Sequence, residues 1–116
     1  MSVQASTVLA SALRTGTTNS SSINVPDWTP ADPRSLTIVM DVTAATALTG
    51  LTAEVQWSVD GTVWAAVDGT KDITVTVITG VTTICKQVPV KAPYYRVQAI
   101  VTGTNATFSV KAAYQA

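Results

Sequence analysis

Apolar and polar positions alternate with a period of two through most of the chain beyond residue 35. Leu36, Ile38, Met40 and Val42 interleave with Thr37, Val39, Asp41 and Thr43, and Ala53, Val55, Trp57 and Val59 with Glu54, Gln56 and Ser58. Successive side chains of a strand point to opposite faces, so this period predicts half-buried β-strands. Ile73, Val75 and Val77 opposite Thr74 and Thr76 predict another, followed by a strand over 81–90. Tyr95, Val97, Ala99 and Val101 then alternate with Arg96, Gln98 and Ile100, and Phe108, Val110 and Ala112 with Thr107, Ser109 and Lys111. Thr and Val dominate throughout, and stiff β-branched side chains suit a pleated strand better than a helix.

Turn signals punctuate these runs. Asp60-Gly61 predicts a hairpin returning through Val63 to Val67, because glycine supplies the positive φ such turns need. Asp68-Gly69 and Thr79-Gly80 predict two more turns, and Thr102-Gly103-Thr104-Asn105 a last hairpin; Pro89 and Pro93 bracket a strand end. Six or seven strands with close, fairly even turns predict an all-β, antiparallel β-sandwich, jelly-roll-like or immunoglobulin-like.

The first third reads differently and divides the chain into 1–34, an extended N-terminal arm with a Pro-rich loop, and 35–116, the sandwich domain. Val3 to Leu13 lacks clean alternation. It suits a helix over Thr7 to Leu13 capped by Thr7, a strand, or an arm that joins a neighbour's sheet, with strand or arm preferred. Thr15 to Ser22 is small and polar, and Asp27-Trp28-Thr29-Pro30-Ala31-Asp32-Pro33 is a proline-punctuated turn. Candidate partner contacts are Val3, Val8, Leu9 and Leu13 on the arm, and Trp28, Pro30 and Pro33 on the loop.

Charge sharpens this picture. Seven basic residues balance seven acidic ones, and charged residues make up only 12% of the 116. A nucleic acid or an anionic membrane requires a basic patch, so neither is an expected partner. A neutral surface of Thr, Ser, Ala and Val gives copies no mutual repulsion, which points to a permanent partner and a homo-oligomer. No basic residue precedes the first apolar run and no apolar run approaches membrane-spanning length, so synthesis in a cytoplasm is expected. Cys85 is the sole cysteine and, within an apolar-alternating run, is expected as a small core residue.

Candidate chemistry is sparse. There is no histidine to serve a nucleophile and no glycine-rich phosphate loop. The aspartates at 27, 32, 60, 68 and 72 fall at turns, where carboxylates bond the local backbone. No catalytic, cofactor or metal site is expected, and the protein is expected not to be an enzyme. Trp57, Trp64, Tyr95 and Phe108 are assigned to the core; the alternative for the two tryptophans is a sugar-stacking platform beside Gln56, Asp60 and Asp68.

One resemblance covers roughly the second half of the chain. V-x-W-S-V-D-G-x-x-W (Val55 to Trp64), P-Y-Y-R-V (Pro93 to Val97) and T-G-T-x-A-T-F-S-V (Thr102 to Val110) resemble small β-sandwich virion proteins of tailed bacteriophages. Those are head decoration or cement proteins and related accessory proteins. The resemblance implies a structural virion protein on the capsid exterior, with the major capsid protein or other virion subunits as partners. It also implies a symmetric homo-oligomer, with a trimer favoured, and an N-terminal arm reaching a neighbouring subunit. A head–tail or tail accessory protein is the nearest alternative, and a carbohydrate-binding or host-adhesion module the alternative from another class.

Overall fold

A computed structural model of the chain describes residues 3–66, 71–75 and 81–115. Among these residues there is no helix. The strands are β1 (Val3–Asn19), β2 (Ile23–Asn24), β3 (Ser35–Ser58), β4 (Ala65–Ala66), β5 (Ile73–Val75), β6 (Thr82–Pro89) and β7 (Tyr94–Gln115). All join one antiparallel sheet, with β3 and β7 side by side at its centre. β1 and β2 flank β7, while β6, β5 and β4 succeed one another along the other side of β3. Val77 and the turns expected at Asp68-Gly69 and Thr79-Gly80 lie outside the described residues.

The sheet becomes a sandwich by folding over on itself. β3 has 24 residues and would run about 80 Å if straight, yet the longest dimension of the molecule is 42 Å. Its pairing with β7 shifts register between Val42 and Ala44 and again between Leu48 and Gly50. Ala47 between those shifts has φ 45°, Gly103 opposite on β7 has φ 111°, and Gly16 on β1 has φ 63° beside that strand's shift between Arg14 and Gly16. The three long strands therefore crease along one line. The first layer contains β6, 35–45 of β3, 106–115 of β7 and 3–14 of β1. The second contains β4, β5, 50–58 of β3, 94–102 of β7, the end of β1, and β2. The molecule is 20 Å through its thinnest dimension, as two sheets stacked about 10 Å apart require.

This crease replaces the last predicted hairpin. Thr102 to Asn105 does not reverse the chain; β7 continues through it alongside β3. Gly103 is there for a close approach, since a Cβ on it would collide with the Ala47 carbonyl oxygen and lie 2.9 Å from the Thr49 nitrogen.

Alternation fills the space between the layers as predicted. Leu36, Ile38, Met40 and Val42 meet Ala53, Val55, Tyr95, Val97, Phe108 and Val110 in one core, most of them with no exposed surface. Trp57 is buried there, its ring 6.1 Å from that of its cross-strand neighbour Tyr95. The Tyr95 hydroxyl is buried without a hydrogen bond. Burial pushes its phenol up to about 12; Tyr114 adds to this, and Ser6 is near enough to pull the other way without a well-formed bond.

The strand preferred for Val3 to Leu13 is found and the helix over Thr7 to Leu13 is not: β1 pairs with β7 along its length. Its irregular pattern comes from shifts between Thr7 and Leu9 and between Leu9 and Ala12, which bury the consecutive Val8 and Leu9. Three expectations are corrected. Cys85 is exposed, because its pairing with Val39 puts it on the outward face of β6. Val59 is likewise exposed, lying in the loop beyond β3. The strand returning from Asp60-Gly61 shrinks to Ala65–Ala66 among the described residues, and Trp64 stands on the outer side of the second layer.

Candidate functional site

Three surfaces gather the residues that the sequence singles out. The first is the outer face of the first layer, where Thr37, Val39 and Asp41 of β3 align with Ser109, Lys111 and Ala113 of β7. Thr83 and Cys85 of β6 flank them on one side, and Ala5 and Thr7 of β1 on the other. Most of these side chains are small or β-branched. Its charges are Asp41, which accepts a 2.9 Å hydrogen bond from the Thr83 hydroxyl, and Lys111. A shallow depression of about 280 Å³ crosses it between Ala5, Thr7, Thr37, Val39 and Lys111.

The second surface is the outer face of the second layer, which carries a connected polar chain. Arg96 Nε donates to Gln56 Oε1 at 2.7 Å, Gln56 Nε2 to Glu54 Oε1 at 2.9 Å, and Lys71 Nζ to Glu54 Oε2 at 3.1 Å. The Arg96 guanidinium lies 4.8 Å from the centroid of the Trp64 ring. Trp64 stands on this side of β3 over Arg96, and Glu54 and Gln56 are buried although they point away from the core. Both Glu54 oxygens thus accept a hydrogen bond, one from Gln56 and one from Lys71. Trp57 and Trp64 stand on opposite faces of the layer, so their rings cannot share one sugar-stacking plane.

The loop between β3 and β4 is fixed by its own polar groups. Asp60 accepts from the Thr62 and Val63 backbone N–H groups at 2.9 and 3.0 Å, and from the Ser58 hydroxyl at 2.9 Å. Those donors hold its carboxyl well below the usual carboxylate range, the Val63 N–H most of all. Gly61 takes φ 83°, the positive value read from the Asp-Gly signal. The tip presents Val59 and Val63, 77% and 74% exposed, above an apolar hollow of about 300 Å³ lined by Trp57, Ala65, Lys91 and Ala92.

The third surface is the Trp28 loop. Trp28 is half-buried against the core and its Nε1 is buried without a partner, while Pro30 and Pro33 are exposed. Arg34 clamps the loop: Nε and Nη2 grip the Asp32 carboxylate, with Nη2 2.6 Å from Oδ2, and Nη2 also donates to the Pro26 carbonyl at 2.8 Å. The Arg34 hydrogen bonds hold the Asp32 carboxyl below its ordinary value against the opposing effect of burial.

Of the seven candidate contacts, Val3 and Leu13 are 64% and 65% exposed on β1, and Pro30 and Pro33 are exposed on the loop. Val8 and Leu9 are buried in the chain's own core. Sequence reasoning missed the Glu54–Gln56–Arg96 chain and read these as ordinary strand positions. Their placement at alternate positions opposite Trp57 was the available signal. Among the described residues, no three side chains of metal-ligating type come together.

No family model matches the chain, and no curated protein sequence matches it. Its fold is similar to that of the PBSX exported protein XepA, with a TM-score of 0.62 at 14% identity over 97% of this chain. That alignment covers 37% of XepA, so the chain spans little more than a third of its length. Overlap is slighter with PirA (TM-score 0.46, 19% identity, 97% of this chain and 93% of PirA). It is similarly slight with the VP2 subviral particle of infectious bursal disease virus (0.47, 15%, 97% and 31%). The likeness to XepA is one of fold: an all-β, antiparallel sandwich.

Proposed function

We propose that this chain is a non-enzymatic structural protein of a phage-type particle, a decoration or cement subunit that bridges capsid subunits from the outside as a symmetric homo-oligomer. The observation that carries this reading is the outer face of the first layer. It is four strands wide, carries few charges, and its side chains are half-buried or exposed. A surface of that kind gains by lying against another protein, since little charge must be desolvated. The fold shared with XepA and the resemblance of the Val55 to Trp64 segment to phage virion proteins support the same reading. Mechanically, a subunit that binds only assembled neighbours stabilises the assembled state by mass action.

The test is to purify intact particles from cells producing the protein and quantify the chain by mass spectrometry, then add purified protein to shells lacking it. Fixed stoichiometry in particles and saturable rebinding, lost on Val39→Lys, are expected. Particles free of the chain, or shells that never take it up, would overturn the proposal.

A further inference from the structure

We infer that Val3 to Thr7 of β1 is a self-association site, pairing antiparallel with the same five residues of a second copy about a two-fold axis at Ala5. This goes beyond the proposed function and holds whether or not the chain ever meets a capsid.

Sheet edges present unpaired N–H and C=O groups, and proteins ordinarily guard them with short strands, lysine, proline or bulges. The other edges here follow that rule among the described residues. β4 and β5 have two and three residues, and β6 carries Lys86 and Pro89. β1 has 17 residues, no proline and one charge, Arg14. That charge is drawn inward: Arg14 Nη1 donates to the Phe108 carbonyl at 3.0 Å and its guanidinium lies 5.1 Å from the Phe108 ring centroid. Register shifts guard β1 from Thr7 onward, but Val3 to Thr7 runs in unbroken register against Gln115 to Lys111. No described strand pairs with its other side.

The occupant that fits is another copy of this segment. A two-fold contact is self-complementary and closes after two copies, so it does not propagate into a fibre. It sets Val3 opposite Thr7 and Gln4 opposite Ser6, with the small Ala5 facing itself. No charge opposes a like charge, and β-branched pairs favour the ladder. The net charge of zero leaves no long-range repulsion between copies. Five residue pairs form an interface well under the roughly 1,200 Å² of stable complexes, so the pairing is reversible and depends on concentration. Such a contact joins two copies of the chain.

The test combines sedimentation with cross-linking of the full chain. Wild type is expected to show a concentration-dependent monomer–dimer equilibrium, which Ala5→Lys weakens at least about tenfold by setting two lysines face to face. Gln87→Lys, on the β6 edge, is expected to leave it unchanged. Facing residues of an antiparallel pair have Cα atoms about 4.5–5.5 Å apart, within disulfide reach. In a Cys85→Ser background, Ala5→Cys therefore oxidises to a covalent dimer much faster than Gln87→Cys. Far-ultraviolet circular dichroism confirms that each variant is folded. A wild type that stays monomeric at all concentrations, or an Ala5→Cys chain that cross-links no faster than Gln87→Cys, overturns the inference.

Discussion

Arg96 rests its guanidinium 4.8 Å from the Trp64 ring centroid, on the side of the layer opposite Trp57. The two tryptophans of the Val55 to Trp64 segment thus serve different ends: one fills the core, the other roofs a buried polar chain.

Truncating each tryptophan separates these roles. Trp57→Ala is expected to cost about 3–5 kcal/mol, as for a large aromatic removed from a core. Trp64→Ala is expected to cost about 1–2 kcal/mol, the scale of a partly desolvated cation–π contact. Urea denaturation monitored by circular dichroism measures both, and equal costs would refute the division.

The crease makes a sharp prediction for two glycines that share a left-handed backbone. Gly16→Ala meets no atom within 4 Å, so its cost is the backbone strain alone, about 1–2 kcal/mol. Gly103→Ala must also displace the Ala47 carbonyl, and is expected to cost at least about 3 kcal/mol or to prevent folding. Thermal melts of the two variants compare them directly.

Tyr95 predicts an alkaline limit. Its phenol is raised to about 12 when folded, against about 10 unfolded, so the stabilisation it brings is complete below pH 10 and is lost as pH climbs towards 12. Tyr95→Phe is expected to remove this loss. It is also expected to leave neutral stability equal or higher, since the hydroxyl it deletes is buried and unbonded. Denaturation curves at pH 8, 10 and 11.5 read out both effects.

At the acid end, Asp32 and Asp60 are held below the ordinary carboxylate range. Their contribution is therefore present at neutral pH, and it fades as pH falls from about 4 through the folded values. Asp32→Asn and Asp60→Asn are each expected to flatten the fall in melting temperature between pH 5 and 2, measured by calorimetry.

The strands, their inward faces and the Asp60-Gly61 turn were legible in the sequence because each is encoded locally, by a period of two or a positive φ. The crease was not, because Gly103 reads alike whether it reverses a chain or folds a sheet; only its clash partner, more than fifty residues earlier, tells them apart. Cys85 was misplaced for a related reason. One step along β6 exchanges its two faces, and its apolar neighbours do not fix which face turns inward. β1 was obscured by its bulges, and the burial of Glu54 and Gln56 rests on partners distant in sequence, Lys71 and Arg96.

The pairing of β1 with β7 also sets a timetable. Val3 bonds across to Gln115 and Asn19 to Gln98, so β1 leaves the ribosome well ahead of the strand it must pair with. At about 5–20 residues per second that delay lasts roughly 5–20 seconds. Throughout it a β-prone stretch with one charge, Arg14, stands without its mate, and nascent chains on one message are close neighbours. Folding yield should therefore be governed by how quickly β7 follows β1 in translation, with slow translation favouring aggregates over folded protein.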